Sequence, residues 1–332
     1  MQQQPAQPDL PAGTTQPRPK LTRQLRLLVL GLGTLAMLAV VSGTALSLWR
    51  MHDDAIEQAG SHLLGLAQVL GEQTLRSTHA IDAVLAAAAE NARRSVKQGR
   101  VEPSQQLHQH LRETIAATPY VRALLLTDAD GKLILHTAQF PPSALEYEDR
   151  EYFRAHRAKR DQRLMLSAPV IGRIGAKPSI PISRRVEAEG GRFLGVITAD
   201  VDPAFFLWPK VLKELGPDGI VRLLRRDGVL LTGYPLALAE AAGDYRDTAL
   251  LTEDGEVAPG LFRHAGSANP AERISAVYRL EQFPPVITVS SSMHFVLRSW
   301  NRSVWQFGAL AAFTAILFGA ITLSLARQLR ID

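Results

Sequence analysis

The sequence predicts an α+β protein: a long N-terminal helix carrying two stacked antiparallel-sheet lobes, flanked by two transmembrane helices. Three observations lead there. Two charge-free stretches, 27–49 and 303–326, are each long enough to cross a bilayer. Between Met51 and Val101 there is no proline, and apolar residues recur at helical spacing. Beyond that point the pattern changes to short β-type runs separated by Asp-Gly and Gly-Gly turns.

The first span lies between Arg26 and Arg50, the second between Arg302 and Arg327. At about 1.5 Å per residue, either covers the ~30 Å hydrocarbon layer as a helix. A secretory signal has an apolar core of roughly 7–15 residues and a small-residue cleavage site. The first run is longer, and its single small-x-small candidate is Ala45-Leu46-Ser47, so it reads as an uncleaved anchor. Arg18, Lys20, Arg23 and Arg26 precede it, and Arg327 and Arg330 follow the second. The positive-inside bias therefore puts both ends in the cytoplasm and residues 50–302 outside. Trp49, Trp300 and Trp305 fall at the outer ends of the spans, where indole rings suit the headgroup layer.

This arrangement accounts for the net charge of +5. The excess sits in the basic flanks, and the region between the spans is close to neutral. The basicity is a topology signal with some attraction to anionic membrane lipid, not a nucleic-acid surface. Residues 1–26 read as a disordered cytoplasmic tail leading into the first span. Residues 327–332 form a cytoplasmic stub, with no kinase, cyclase or methyl-accepting output expected in the chain itself. The absence of cysteine excludes thiol chemistry and cysteine-ligated metals.

Ile56, Leu63, Leu66, Leu70, Ile81, Val84, Leu85 and Ala88 mark one face of an amphipathic stalk helix over 50–101. Its partner is the following domain, a second copy of the chain, or both. Two strands surround the D-A-D-G turn within 120–137, and another strand is expected over 164–171. The segments 179–186 and 192–201 flank Glu189-Gly190-Gly191 as a hairpin, followed by a helix over 203–215 closed by Gly216-Pro217. VRALLLTDADGKLILHT (121–137) is echoed by VRLLRRDGVLLT (221–232), a repeated strand–turn–strand unit. Strands at 273–280 and 286–292 complete a second, smaller sheet.

Four local features in this order resemble the double Cache extracytoplasmic sensors of bacterial histidine kinases, diguanylate cyclases and chemoreceptors. They are V-R-A-L-L-L-T-D-A-D-G-K-L, D-R-E-Y-F-R-A-H, S-A-P-V-I-G-R with I-P-I-S-R-R, and G-V-I-T-A-D-V-D. The resemblance covers roughly residues 27–326. It implies two PAS-like lobes in the periplasm, a membrane-distal one over 102–216 and a membrane-proximal one over 217–302, in a two-pass protein of the inner membrane. It implies homodimers, and an output domain in a longer product or a separate partner.

In that family the distal lobe holds a small ligand. The resemblance gives Arg150 the role of anion anchor, Tyr152 and Phe153 that of flat walls, and Asp200 that of the acid facing a ligand ammonium. Arginine at one end and aspartate at the other suit a zwitterion. Amino-acid-binding relatives favour tryptophan and then tyrosine after the arginine, and a tyrosine where this chain has Val170. Carboxylate and amino acid therefore both stand as ligands, and Arg184 in its strand would favour an acid. The plainer reading of the segment is a half-exposed helix with Tyr152 and Phe153 packed inward. For Asp200 it is a helix cap, a role for which Asp202 is better placed.

No P-loop, G-x-S-x-G or H-E-x-x-H occurs, and His108 and His110 point to different faces of a helix. No catalytic set, metal site or cofactor is expected, and the chain reads as a signal-input module and not an enzyme. The rivals are an outside-facing enzyme without a recognisable motif and a structural or assembly anchor. In the spans, Ala39, Gly43 and Ser47, and Ala311, Ala315 and Gly319, form small-residue ladders that permit close helix approach.

Overall fold

The structure, a computed structural model, describes residues 19–159, 164–206, 212–241, 256–265, 272–280, 283 and 285–331. The tail 1–18 and Asp332 lie outside the described residues, as does 207–211 in the middle of the expected 203–215 helix. The chain divides into two compact units, 1–55 with 297–332, and 56–296.

The first unit is built from the N-terminal part of helix α1 (Pro19–Arg94) and from the last helix, Arg298–Ile331. Both helices are long and apolar enough to cross a membrane, with mean hydropathy 2.1 over their most apolar stretch. Leu28, Leu35, Phe313 and Ile316 are exposed along them, as lipid-facing side chains would be. The two small-residue ladders differ. Ala311, Ala315 and Gly319 are half-buried, with Met37 Sδ at 3.6 Å from the Cβ position of Gly319, whereas Ala39, Gly43 and Ser47 stay exposed. At one end of the helix pair, Trp300 Nε1 donates to the Leu48 carbonyl at 2.8 Å, and its ring meets His52 edge-on at 4.9 Å.

In the second unit, the rest of α1 carries the chain to Arg94, not to 101. A two-residue turn at Gln98-Gly99, both with positive φ, then closes a short hairpin of β1 (Val96–Lys97) and β2 (Arg100–Val101). Helix α2 (Gln105–Ile115) follows, with Ser104 Oγ accepting from the Leu107 N–H at 3.1 Å. The first lobe contains β3 (Val121–Thr127), β4 (Leu133–His136), α3 (Glu151–Ala158), β5 (Met165–Leu166), β6 (Val170–Ile171), β7 (Pro178–Glu187) and β8 (Phe193–Val201). The expected strand over 164–171 is thus two short pieces broken at Ser167–Pro169.

A 3₁₀ turn (Pro203–Phe206) and α4 (Leu212–Leu215) lead to the second lobe. Asp202 caps that turn, its carboxylate accepting from the Ala204 N–H at 2.9 Å. The second lobe contains β9 (Ile220–Arg225), β10 (Leu230–Tyr234), α5 (Leu236–Ala241), β11 (Gly260–Ala265), β12 (Glu272–Arg279) and β13 (Pro285–Ser292). Helices α6 (Met293–Val296) and α7 (Arg298–Ile331) complete the chain.

The sheet orders are β4-β3-β8-β7-β5, with β6 beside β7, and β10-β9-β13-β12-β11. With the short β6 left out and the strands counted from each lobe's own first, both read 2-1-5-4-3, and all pairs are antiparallel. The echoed segments are the first two strands of the two sheets, so the repeat is structural.

The stripe Ile56, Leu63, Leu70, Ile81, Val84, Leu85 and Ala88 is buried, and Leu66 is half-buried. Tyr278 of β12 lies against Gly71, and Leu261 of β11 and Ile274 of β12 lie near Gly60, so the lobes of the same chain cover that face. Each large aliphatic side chain so buried contributes about 1.5–3 kcal/mol as an upper figure. The runs of β7 and β8 are almost continuously buried because helices cover both faces of the first sheet.

Candidate functional site: the cavity of the first lobe

The first sheet has two distinct faces, set by the period of two along each strand. Leu124 pairs with Ala199, and Ala199 with Ile182; these side chains share one face with Ile180 and Arg184. That face meets α1, where Arg184 Nη2 donates to Asp82 Oδ1 at 2.8 Å. On the opposite face, His136, Leu125, Thr198 and Ser183 form one cross-strand row, and Ala123, Asp200 and Pro181 the next. Helix α3 covers this side, burying Tyr152, Phe153 and His156, with His156 Nε2 at 3.0 Å from Ser183 Oγ.

Between this face and the segment 170–174 lies a cavity of about 30 Å³. Leu125, His136, Ser179, Pro181, Thr198 and Asp200 form its floor. Tyr147, Arg150 and Tyr152 form one wall, and Val170, Gly172, Arg173 and Ile174 the cover. Outside it is an open depression of about 920 Å³ that includes Lys132, Glu146, Glu148 and Asp149 and shares Arg173 with the cavity.

Local sequence places these groups. Asp128 of the D-A-D-G turn accepts from the Asp130 and Lys132 N–H groups at 3.0 and 2.9 Å. Gly131, with φ +91°, approaches the Glu148 backbone where a Cβ would stand 2.9 Å from its nitrogen. This closeness lets the Gly131 carbonyl accept from the Tyr147 N–H at 2.7 Å, seating Tyr147 in the wall. Arg150 precedes the first turn of α3 and donates to the Ile171 carbonyl of the cover at 3.3 Å. Arg173 pairs with Asp149 at 2.6 Å and lies over the Tyr147 ring. Glu151 binds the Ala168 N–H at 3.1 Å and Arg225 of the second lobe at 2.8 Å, joining this wall to the neighbouring sheet.

The polar groups of the cavity differ in how they are satisfied. Burial pushes the Tyr152 phenol well up, against a smaller opposing pull from Thr198 beside it. Burial also raises the Tyr147 phenol, whose hydroxyl has no partner among the described residues. His136 is held below its ordinary value by burial, and its Nδ1 accepts from the Ala138 N–H at 3.2 Å, which leaves the proton on Nε2. A buried phenol and imidazole that keep their hydrogens are donors.

Of the five residues singled out from sequence, the structure brings Arg150, Tyr152 and Asp200 together in one cavity. Phe153 is fully buried in the core beneath α3, against Val196 and Leu133, and does not line it. Arg184 is a correction: it is out of phase with Ser179 and Pro181 by one residue and faces α1. The in-phase arginine is Arg185, which is buried, lies over the Phe193 ring and donates to Glu187 and to the His156 carbonyl. Missed were His136, Arg173, Ser179 and Thr198. The period-two rule applied backwards from Asp200 would have found Thr198. His136 and Arg173 carry no sequence signal of their own. Among the described residues, no group of three or more metal-ligating side chains occurs.

No family model matches the chain, and no curated protein does. Solved structures do. The extracellular domain of rpHK1S-Z16, designated a histidine kinase, is 28% identical with a TM-score of 0.61, covering 73% of this chain and 98% of that one. The sensory domain of the Campylobacter jejuni chemoreceptor Tlp1 gives 11% identity and a TM-score of 0.56, over 73% and 98%. The ligand-binding domain of the Pseudomonas fluorescens chemoreceptor CtaA, in complex with L-isoleucine, gives 15% and 0.53, over 75% and 98%. With a long helix, two antiparallel sheets of one strand order and these likenesses, the chain carries a Cache-type sensor domain.

Proposed function

We propose that the chain is the signal-input part of a bacterial inner-membrane receptor, with both termini in the cytoplasm and residues 50–302 in the periplasm. A small carboxylate or amino acid binds in the first lobe, walled by Arg150 and Tyr152 and floored by Asp200. Binding favours one of two conformations, and only that difference in affinity can carry a signal to the long helix and the spans. The protein acts as a homodimer, and its output is a kinase, cyclase or chemotaxis domain in a longer product or in a separate partner.

The supporting observation is the cavity itself. It gathers charged and hydroxyl-bearing side chains from β7, β8 and the approach to α3 under one short cover, on the face away from the helix that would move. The likeness to sensor domains supports the same reading, since the CtaA structure holds L-isoleucine. Thermal shift of the purified full chain against a panel of carboxylates and amino acids tests it. A stabilising solute whose effect is lost in Arg150→Ala supports the reading. A panel without any hit, in a protein that melts cooperatively, would sink it. A reporter active only outside the cytoplasm, fused near Gly190, tests the topology separately and should be active.

A further inference from the structure

Alternation along β3 breaks at Arg122. Val121 pairs with Val201 and Ala123 with Asp200, so Arg122 is the extra residue of a β-bulge, a device that re-aims a side chain. Its Nη2 meets Asp200 Oδ1 at 2.9 Å and also donates to the Pro178 carbonyl, while Nη1 lies 4.0 Å from Asp202. The Arg122 and Asp200 side chains are only 22% and 20% exposed. Among the described residues, Asp200 is the one acidic side chain lining the cavity, and its charge is already matched.

The charges around the cavity then sum to a surplus cation. Arg173 is matched by Asp149. Arg150 bonds to the Ile171 carbonyl, and among the described residues no carboxylate pairs with it. The buried Tyr147 hydroxyl adds a donor without a partner among those residues. An anion entering here finds a guanidinium and a hydroxyl. An ammonium entering beside Asp200 would shed its water, find the carboxylate already engaged and lie next to the like charge of Arg122.

We propose that the cavity takes a small monocarboxylate without an amine, and that Arg122, through its grip on Asp200, is the residue that rejects amino acids. This rests on the sensor reading above and narrows its ligand class. Arg122 is a positioning residue, since it acts through Asp200. A site that strands a ligand's charged group discriminates by about tenfold to a hundredfold.

The test is calorimetry on the purified full chain in nanodiscs, with probes that differ only in the amine: acetate against glycine, propionate against L-alanine, butyrate against 4-aminobutyrate. The acid of at least one pair should bind, and bind at least about tenfold tighter than its partner. In Arg122→Gln the ratio should fall toward one or reverse, because Asp200 is released to meet the ammonium. If the wild type binds an amino acid as tightly as the matched acid, and Arg150→Ala abolishes both, the ligand class is wrong while the pocket stands. If no probe binds, the pocket reading and this inference fall together. The wild-type ratio decides the matter even where Arg122→Gln does not fold.

Discussion

Arg184 Nη2 donates to Asp82 Oδ1 at 2.8 Å, tying β7 to the long helix on the side of the sheet that the cavity does not occupy. The same strand gives Ser179 and Pro181 to the cavity floor, so a shift of β7 on binding would be felt at Asp82. Both partners are about three-quarters buried, and breaking the pair should cost roughly 1 kcal/mol of stability. Asp82→Asn and Arg184→Gln should bind ligand nearly as the wild type does but transmit less. Binding by calorimetry and helix displacement by spin-label distances measure the two separately. A variant that loses both together would place Arg184 in binding after all.

Arg150→Ala should weaken ligand binding by about tenfold to a hundredfold, the worth of a charge-assisted contact of ~1.5–3 kcal/mol. Arg150→Lys should recover part of it, since an ammonium cannot reproduce the two-pronged fork. Tyr147→Phe removes a buried hydroxyl that has no partner among the described residues, so it should leave the melting temperature unchanged or raised. Its effect on affinity measures whether that hydroxyl meets the ligand. Unchanged affinity in all three variants would return the segment 147–157 to the plainer reading of a helix packed by Tyr152 and Phe153.

His136 gives the cavity a pH signature. Its folded imidazole is held below the ordinary value by burial and by His108, against the pull of Asp200 in the other direction. As pH falls past about 6.5, the unfolded imidazole takes up a proton that the folded one resists. Stability should therefore be lost as pH falls from about 7.5 toward about 5, and this part of the slope should vanish in His136→Gln. Melting temperatures across that range, wild type against variant, provide the check. Parallel slopes in the two proteins would show that His136 contributes none of it.

The strands around the cavity were legible because aliphatic runs and Asp-Gly turns survive in the sequence whatever lies above them. Arg150 and Asp200 were legible only through the resemblance, which fixes order along the chain but not phase within a strand. Phase misplaced Arg184: in SIPISRRV both arginines sit among apolar neighbours, and burial of β7 on both faces removes the alternation that would tell them apart. The Arg122–Asp200 pair was hidden for a related reason, since a bulge breaks alternation without changing composition. The end of the long helix at Arg94 was marked by Gln98-Gly99, a two-residue turn easily read as helix in a stretch free of proline.

Any pairing of two copies through the long helix depends on which of its faces remains open. Ile56, Leu63 and Leu70 are spent on the chain's own lobes, so they cannot also meet a second copy. Ser61, Gly65, Gln68 and Glu72 recur on the other side and are exposed, and a Cβ at Gly65 would meet nothing within 4 Å. Val69 beside them is 63% exposed, a large apolar side chain left open by its own fold. Single cysteines can be placed without interference because the chain has none. If two copies pair through this helix, cysteines in place of Ser61, Gly65, Gln68 and Glu72 should crosslink with helical periodicity, and those at Leu63 and Leu70 should not. Crosslinking from the buried positions would mean that the helix leaves its own lobes in the dimer. Uniformly low crosslinking would mean that this helix does not hold the copies together.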